Sequence, residues 1–90
     1  MPRVRFTYAL QRFYPTLSEE QCEAGNLKNL LDEIDQTYPG IRAYLIEDSG
    51  AIRKHVNIFL DGKLLRDRGH LEHNLEGVQE VYIMQALSGG

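Results

Sequence analysis

One cysteine, Cys22, is all the thiol chemistry that these 90 residues carry. A lone thiol excludes an internal disulfide and any cysteine-ligated iron–sulfur cluster. Long apolar runs are also missing. No stretch approaches the ~20 residues of a membrane-spanning helix, and "MPRVRFTYAL" has neither the apolar region nor the small-residue cleavage site of a signal peptide. The expectation is a cytoplasmic protein with no membrane partner. Excess positive charge is absent as well: the net charge is −3 and the pI about 5.5. Nucleic-acid binders usually carry a basic face, so no nucleic-acid partner is expected. There is no low-complexity tract, no phosphate-cradling glycine motif and no nucleophile–base–acid set. The chain is not expected to be an enzyme by itself.

What is present suits one domain with one core. "RVRFTYAL" alternates, with Val4, Phe6 and Tyr8 on one face and Arg3, Arg5 and Thr7 on the other, which is the period of a half-buried strand. "QRFYP" reads as a turn around Pro15. "TLSEEQCEA" gives a weaker second strand with Leu17, Cys22 and Ala24 inward, so the amino end should be a hairpin.

The clearest signal follows. Asn26 is placed to cap a helix on which Leu27, Leu30, Leu31, Ile34 and Tyr38 recur at helical spacing, and Pro39-Gly40 stops it. Its other face carries Lys28, Asp32, Glu33 and Gln36, so the helix should lie on a sheet. "IRAYLIEDSGAI" is a connector with a short helical turn and a bend at Ser49-Gly50.

"KHVNIFLDGKLLR" contains its own turn. Val56, Ile58 and Leu60 alternate, Asp61-Gly62 suits a type I′ turn, and Lys63–Arg66 returns. "RGHLEHNLEGV" lacks periodicity and reads as a loop whose Leu71 and Leu75 plug the open end of the core. "QEVYIMQA" is the last strand, with Val81 and Ile83 inward and Tyr82 and Met84 outward. The predicted class is α+β: a β-grasp with a mixed sheet of four to five strands and one main helix on one face. The domain should span residues 1–86, with 87–90 as a flexible tail ending in Gly-Gly.

With this order in place, "RKHVNIFLDGK", "LEHNLEGVQEVYIM" and the final "SGG" resemble the ubiquitin-like sulfur carriers, the MoaD/ThiS-like family that includes CysO-like carriers. The likeness is sharpest from Arg53 to Gly90. The chain departs from the family pattern where Gln85-Ala86-Leu87-Ser88 replaces a strand proline and an alanine before the glycines. Its length and the "RKHVNIF" strand lean toward the MoaD-like and CysO-like branches.

The resemblance implies that the reactive group is the C-terminal carboxylate of Gly90. A terminal carboxyl is an anion at neutral pH and a poor acyl electrophile. In this family an ATP-dependent (MoeB/ThiF-like) partner adenylates it, and a sulfur donor protein then leaves a thiocarboxylate for a downstream synthase subunit or acceptor enzyme. No cofactor is bound stably; the sulfur is covalent, at Gly90. Gly89 and Gly90 lack Cβ atoms, so such a tail can thread a narrow slot, with small Ser88 and Leu87 behind them.

Outward-facing Phe59, Tyr82 and Met84 should form an exposed apolar cluster flanked by Arg3 and Arg5, the expected partner-docking face together with Leu87 and Ser88. Two other readings stay open at this point: a ubiquitin-like modifier joined to lysines through Gly90, and a β-grasp interaction domain whose tail does no chemistry. His70 and His73 in "HLEH" read as surface residues with no metal, and Cys22 as a small buried hydrophobe.

Overall fold

The computed structural model describes residues 1–85. Two strands distant in sequence form the middle of its sheet. Strand β1 (Arg3–Phe6) lies parallel to β5 (Glu80–Gln85), with Val4 opposite Val81 and Phe6 opposite Ile83. Strand β2 (Glu20–Gln21) pairs antiparallel with β1 on one side. Strand β3 (Val56–Leu60) pairs antiparallel with β5 on the other, and β4 (Lys63–Leu64) closes that edge. The order β2-β1-β5-β3-β4 is a mixed five-stranded sheet with one main helix, the β-grasp expected from the sequence.

Helix α1 (Leu27–Thr37) begins where its sequence says it should. The Asn26 side chain accepts the Asn29 N–H at 2.8 Å, satisfying one of the amides that a helix start leaves unpaired. Leu27, Leu30, Leu31 and Ile34 are buried against the sheet. Each such burial contributes about 1.5–3 kcal/mol, so packing outweighs the roughly 1 kcal/mol that a cap supplies. After Pro39 the chain turns through Gly40 at φ +95°, a conformation that disfavours any side chain. Asp35 Oδ1 accepts the N–H groups of Gly40 (3.1 Å) and Arg42 (3.0 Å), tying α1 to the short helix α2 (Ile41–Leu45).

The core lies between α1 and the inner face of the sheet, where Val4, Val56, Ile58, Val81 and Ile83 are fully enclosed. Leu71 and Leu75 of the long loop close its open end, as expected, and Leu17, Cys22 and Tyr38 complete one side. Asp61 (φ +50°) and Gly62 (φ +83°) both have the left-handed backbone that a type I′ turn requires.

The amino-terminal strand is shorter than its alternation suggested. After Phe6 the chain enters a 3₁₀ helix, Tyr8–Arg12, which buries the adjacent pair Ala9 and Leu10 and leaves Tyr8 82% exposed. Two consecutive inward residues suit a helical turn and not a pleat. The return strands also shrink to two residues each, Glu20–Gln21 and Lys63–Leu64.

Candidate functional site

Strand β5 is the last described element before Gly89-Gly90 in the sequence, and its start is held from across the sheet. The Asp61 carboxylate accepts the Glu80 N–H at 2.8 Å and the Gln79 N–H at 3.0 Å. At its far end, the Gln85 N–H donates to the Thr7 hydroxyl at 3.1 Å, and Gln85 Nε2 donates to the Tyr44 hydroxyl at 2.9 Å. Phe13 packs on Tyr44 with ring centroids 5.0 Å apart. The strand therefore leaves the fold through a clamp of Thr7 and Tyr44, neither of which stands out in the sequence because both act at long range. Leu87, Ser88, Gly89 and Gly90 lie outside the described residues, as does the expected boundary after Ala86.

The face of the sheet turned away from α1 carries the three expected docking residues. Phe59 is directly opposite Tyr82, and Met84 is opposite Asn57. The Phe59 and Tyr82 rings are 6.2 Å apart, a favourable tilted pair, and the Arg5 guanidinium lies 5.4 Å from the Tyr82 ring centre. All three side chains are half-buried and not fully exposed, because neighbours on the same face cover their flanks. Arg3 and Arg5 flank them as expected. They are already engaged, with Arg3 Nε 3.3 Å from Glu19 and Arg5 Nη1 3.3 Å from Glu80. These pairs are solvated, so they organise the face more than they stabilise it.

Arg68 also crosses toward this face. Its Nη1 donates to Asn57 Oδ1 at 3.1 Å and its Nη2 to the Arg53 carbonyl at 2.6 Å. The long loop is thereby fastened beside Met84's cross-strand partner. A sequence reading sees only one more arginine.

The remaining chemistry-bearing side chains are accounted for locally. Cys22 is 1% exposed, and its thiol is pushed up to about 12 by burial first and by the nearby Glu33 and Glu20 carboxylates next. Such a thiol is not a nucleophile at neutral pH. The His70 and His73 rings stack at 4.6 Å, and His70 Nε2 lies 2.9 Å from Asp67 Oδ2. That hydrogen bond holds the Asp67 carboxyl below the usual carboxylate range. Among the described residues no group of three or more His, Cys, Asp or Glu side chains gathers as a metal site, and no helix is long and apolar enough to cross a membrane.

The arrangement is thus a β-grasp body that anchors both ends of β5, the strand that precedes the glycine pair in the sequence. Residues 4–90 match the sequence profile of the ThiS family. The chain belongs to the ThiS family. No curated protein matches it by sequence alone. Among solved structures, this ThiS-family chain is similar to a chain of the Amycolatopsis orientalis BexX/CysO complex, at 19% identity, TM-score 0.81 and full coverage of both chains. It is similar to Mycobacterium tuberculosis CysO at 20% identity and TM-score 0.79, over 97% of this chain and 100% of that one. It is also similar to small archaeal modifier protein 1 of Methanosarcina acetivorans, at 21% identity and TM-score 0.74, over 98% and 94% of the two chains. At these identities the likeness establishes a shared ubiquitin-like fold.

Proposed function

We propose that this ThiS-family chain is a sulfur carrier whose C-terminal carboxylate, at Gly90, becomes a thiocarboxylate in a cytoplasmic biosynthetic pathway. The observation that carries the reading is that the family match runs from residue 4 through Gly90, so it takes in both the folded body and the glycine pair. The chain is the substrate, and the catalysis belongs to its partners.

Two steps make up the chemistry. One carboxylate oxygen of Gly90 attacks the α-phosphorus of ATP, held by an adenylating partner, and pyrophosphate leaves. The acyl-adenylate carbon is then attacked by sulfur delivered at the hydrosulfide level by a donor protein. AMP departs with one of the original carboxylate oxygens, a proton is released, and the thiocarboxylate remains. Its soft sulfur is a strong nucleophile for an acceptor held by a downstream enzyme, in cysteine or molybdopterin-like cofactor synthesis. The anchoring of β5 by Asp61, Thr7 and Tyr44 supports this role, because a partner that must align one carbon gains from a tail rooted in a fixed strand. Phe59, Tyr82 and Met84 serve as the docking face for the adenylating enzyme and the acceptor in turn, with Leu87 and Ser88 entering the slot ahead of the glycines.

A second reading, a protein modifier joined through Gly90 to lysine amines, draws support from the likeness to the small archaeal modifier protein. The two readings share adenylation and part at the nucleophile. Intact mass spectrometry of the chain after incubation with ATP, the adenylating enzyme and a sulfur donor separates them. A mass gain equal to replacing one oxygen by one sulfur, mapped to the peptide ending in Gly90, is the expected result. Adducts to other proteins that survive reducing agent, without that mass gain, would favour the modifier. Deleting Gly89-Gly90 should abolish either product while leaving the melting curve unchanged; a chain that keeps its cellular activity without them would be an interaction domain instead.

A further inference from the structure

The large apolar side chains left in solvent are unevenly placed. Among the described residues, beyond Met1, they are Tyr8 (82% exposed), Phe13 (57%) and Leu64 (40%). Tyr8 and Phe13 flank the 3₁₀ turn at the end of the sheet from which the chain continues to Gly90. Tyr8 follows Thr7, whose N–H donates to the Ile83 carbonyl at 3.0 Å and whose hydroxyl accepts the Gln85 N–H. Phe13 rests on Tyr44, whose hydroxyl accepts from Gln85 Nε2. Two aromatic residues that contribute little to the core therefore stand beside the root of the tail, joined by a half-buried third. This group is separate from Phe59, Tyr82 and Met84 on the sheet face.

We propose that Tyr8, Phe13 and the open edge of Tyr44 form an aromatic collar that seats against the rim of the adenylating enzyme's active-site slot. The inference rests on the carrier reading and adds a second contact surface to it. Gly90 is the fifth residue after Gln85, and five extended residues span no more than about 18 Å. An enzyme that encloses both the Gly90 carboxylate and the α-phosphate of ATP, and keeps water from the acyl-adenylate, must bring its surface within that distance of Gln85. The ground it covers includes the collar. Aromatic rings suit such a contact, since they bury a large area with few rotatable bonds. Arg12, exposed and without an ion pair among the described residues, ends the same 3₁₀ turn. The matching rim is apolar and carries a carboxylate opposite Arg12.

The test uses the full chain and the adenylating enzyme of its source organism, purified by following ATP–pyrophosphate exchange dependent on that chain. Tyr8→Glu and Phe13→Glu should each raise the KM for the carrier chain about tenfold or more, the loss of one interface anchor, with kcat nearly unchanged. Asn29→Glu, which adds the same charge at an exposed position in the first turn of α1, away from both the collar and the outer face of the sheet, should leave KM as it is. Melting curves report the fold of each variant. If Phe13→Glu loosens the packing on Tyr44, Tyr8→Glu decides alone, because Tyr8 is almost fully exposed. A KM unmoved by Tyr8→Glu, or moved as much by Asn29→Glu, overturns the collar while leaving the carrier reading standing. An absence of chain-dependent exchange with the unaltered protein overturns both.

Discussion

Replacing Asp61 should weaken this fold more than its exposed position suggests, and the order of its variants tests why. Asp61 has φ +50°, and its carboxylate accepts two backbone N–H groups at the start of β5. Alanine at a left-handed position costs roughly 1 kcal/mol more than aspartate, which tolerates it. Hydrogen bonds to a charged acceptor are worth about 1.5–3 kcal/mol when shielded; with solvent at hand, half a kcal/mol to 1 each is a fairer figure. Asp61→Ala should therefore destabilise by about 2–3 kcal/mol. With a urea slope near 1 kcal/mol per M, the unfolding midpoint would fall by about 2 M or more. Asp61→Asn keeps both the backbone tolerance and one amide oxygen and should lose under about 1 kcal/mol. Asp61→Gly removes the strain but not the hydrogen-bond loss and should fall between them. Urea unfolding followed by far-UV circular dichroism measures all three. An alanine variant within about 0.5 kcal/mol of the parent, or asparagine as damaging as alanine, would refute the anchoring role.

The other predictions concern the helix, the thiol and the open face. Asn26→Ala removes the α1 cap and should cost about 1 kcal/mol, lowering the melting temperature by about 4–8 °C, whereas glycine there should cost only a few tenths of a kcal/mol. Cys22 should resist iodoacetamide at pH 8 in the folded protein and react once urea unfolds it. Burial raises its folded pKa to about 12, above the ordinary thiol range, so the stability tied to the neutral thiol is full below about pH 9 and is lost as pH rises toward 12. Cys22→Ala should flatten that alkaline decline. Phe59→Asp or Met84→Asp should leave the circular dichroism spectrum intact and cut adenylation about tenfold or more; unchanged adenylation would remove the docking face from the scheme.

Local order was legible and long-range anchoring was not. Leu27, Leu30, Leu31 and Ile34 repeat at a helical period, Asn26 and Pro39-Gly40 bracket them, and Asp61-Gly62 can hardly be anything but a tight turn. Each of these signals lies within about fifteen residues of chain. The alternation of Val4, Phe6 and Tyr8 misled because nothing in it announces that Thr7 ends the pairing and Ala9-Leu10 go inward together. The clamp of Thr7 and Tyr44 on Gln85, the Arg68 bridge to Asn57 and the Tyr38 hydroxyl bonded to Glu20 at 3.1 Å join residues 11 to 78 positions apart. No periodicity encodes such meetings. Alternation alone put Phe59, Tyr82 and Met84 on the sheet face turned away from α1, yet their partial cover depends on neighbours supplied by other strands.

The parallel pairing of β1 with β5 has a consequence for how the molecule comes into being. During synthesis β1 is made well before β5 and must wait, with one edge unsatisfied, until β5 follows. The centre of the sheet closes only when β5 arrives, so contacts of the greatest sequence separation form the heart of the fold, a topology that slows folding. A nascent or truncated chain that lacks β5 has no sheet centre and no rooted tail. Closure of the sheet centre and anchoring of β5 at Thr7 and Tyr44 are thus one event, so neither exists in a chain that has not yet folded as a whole.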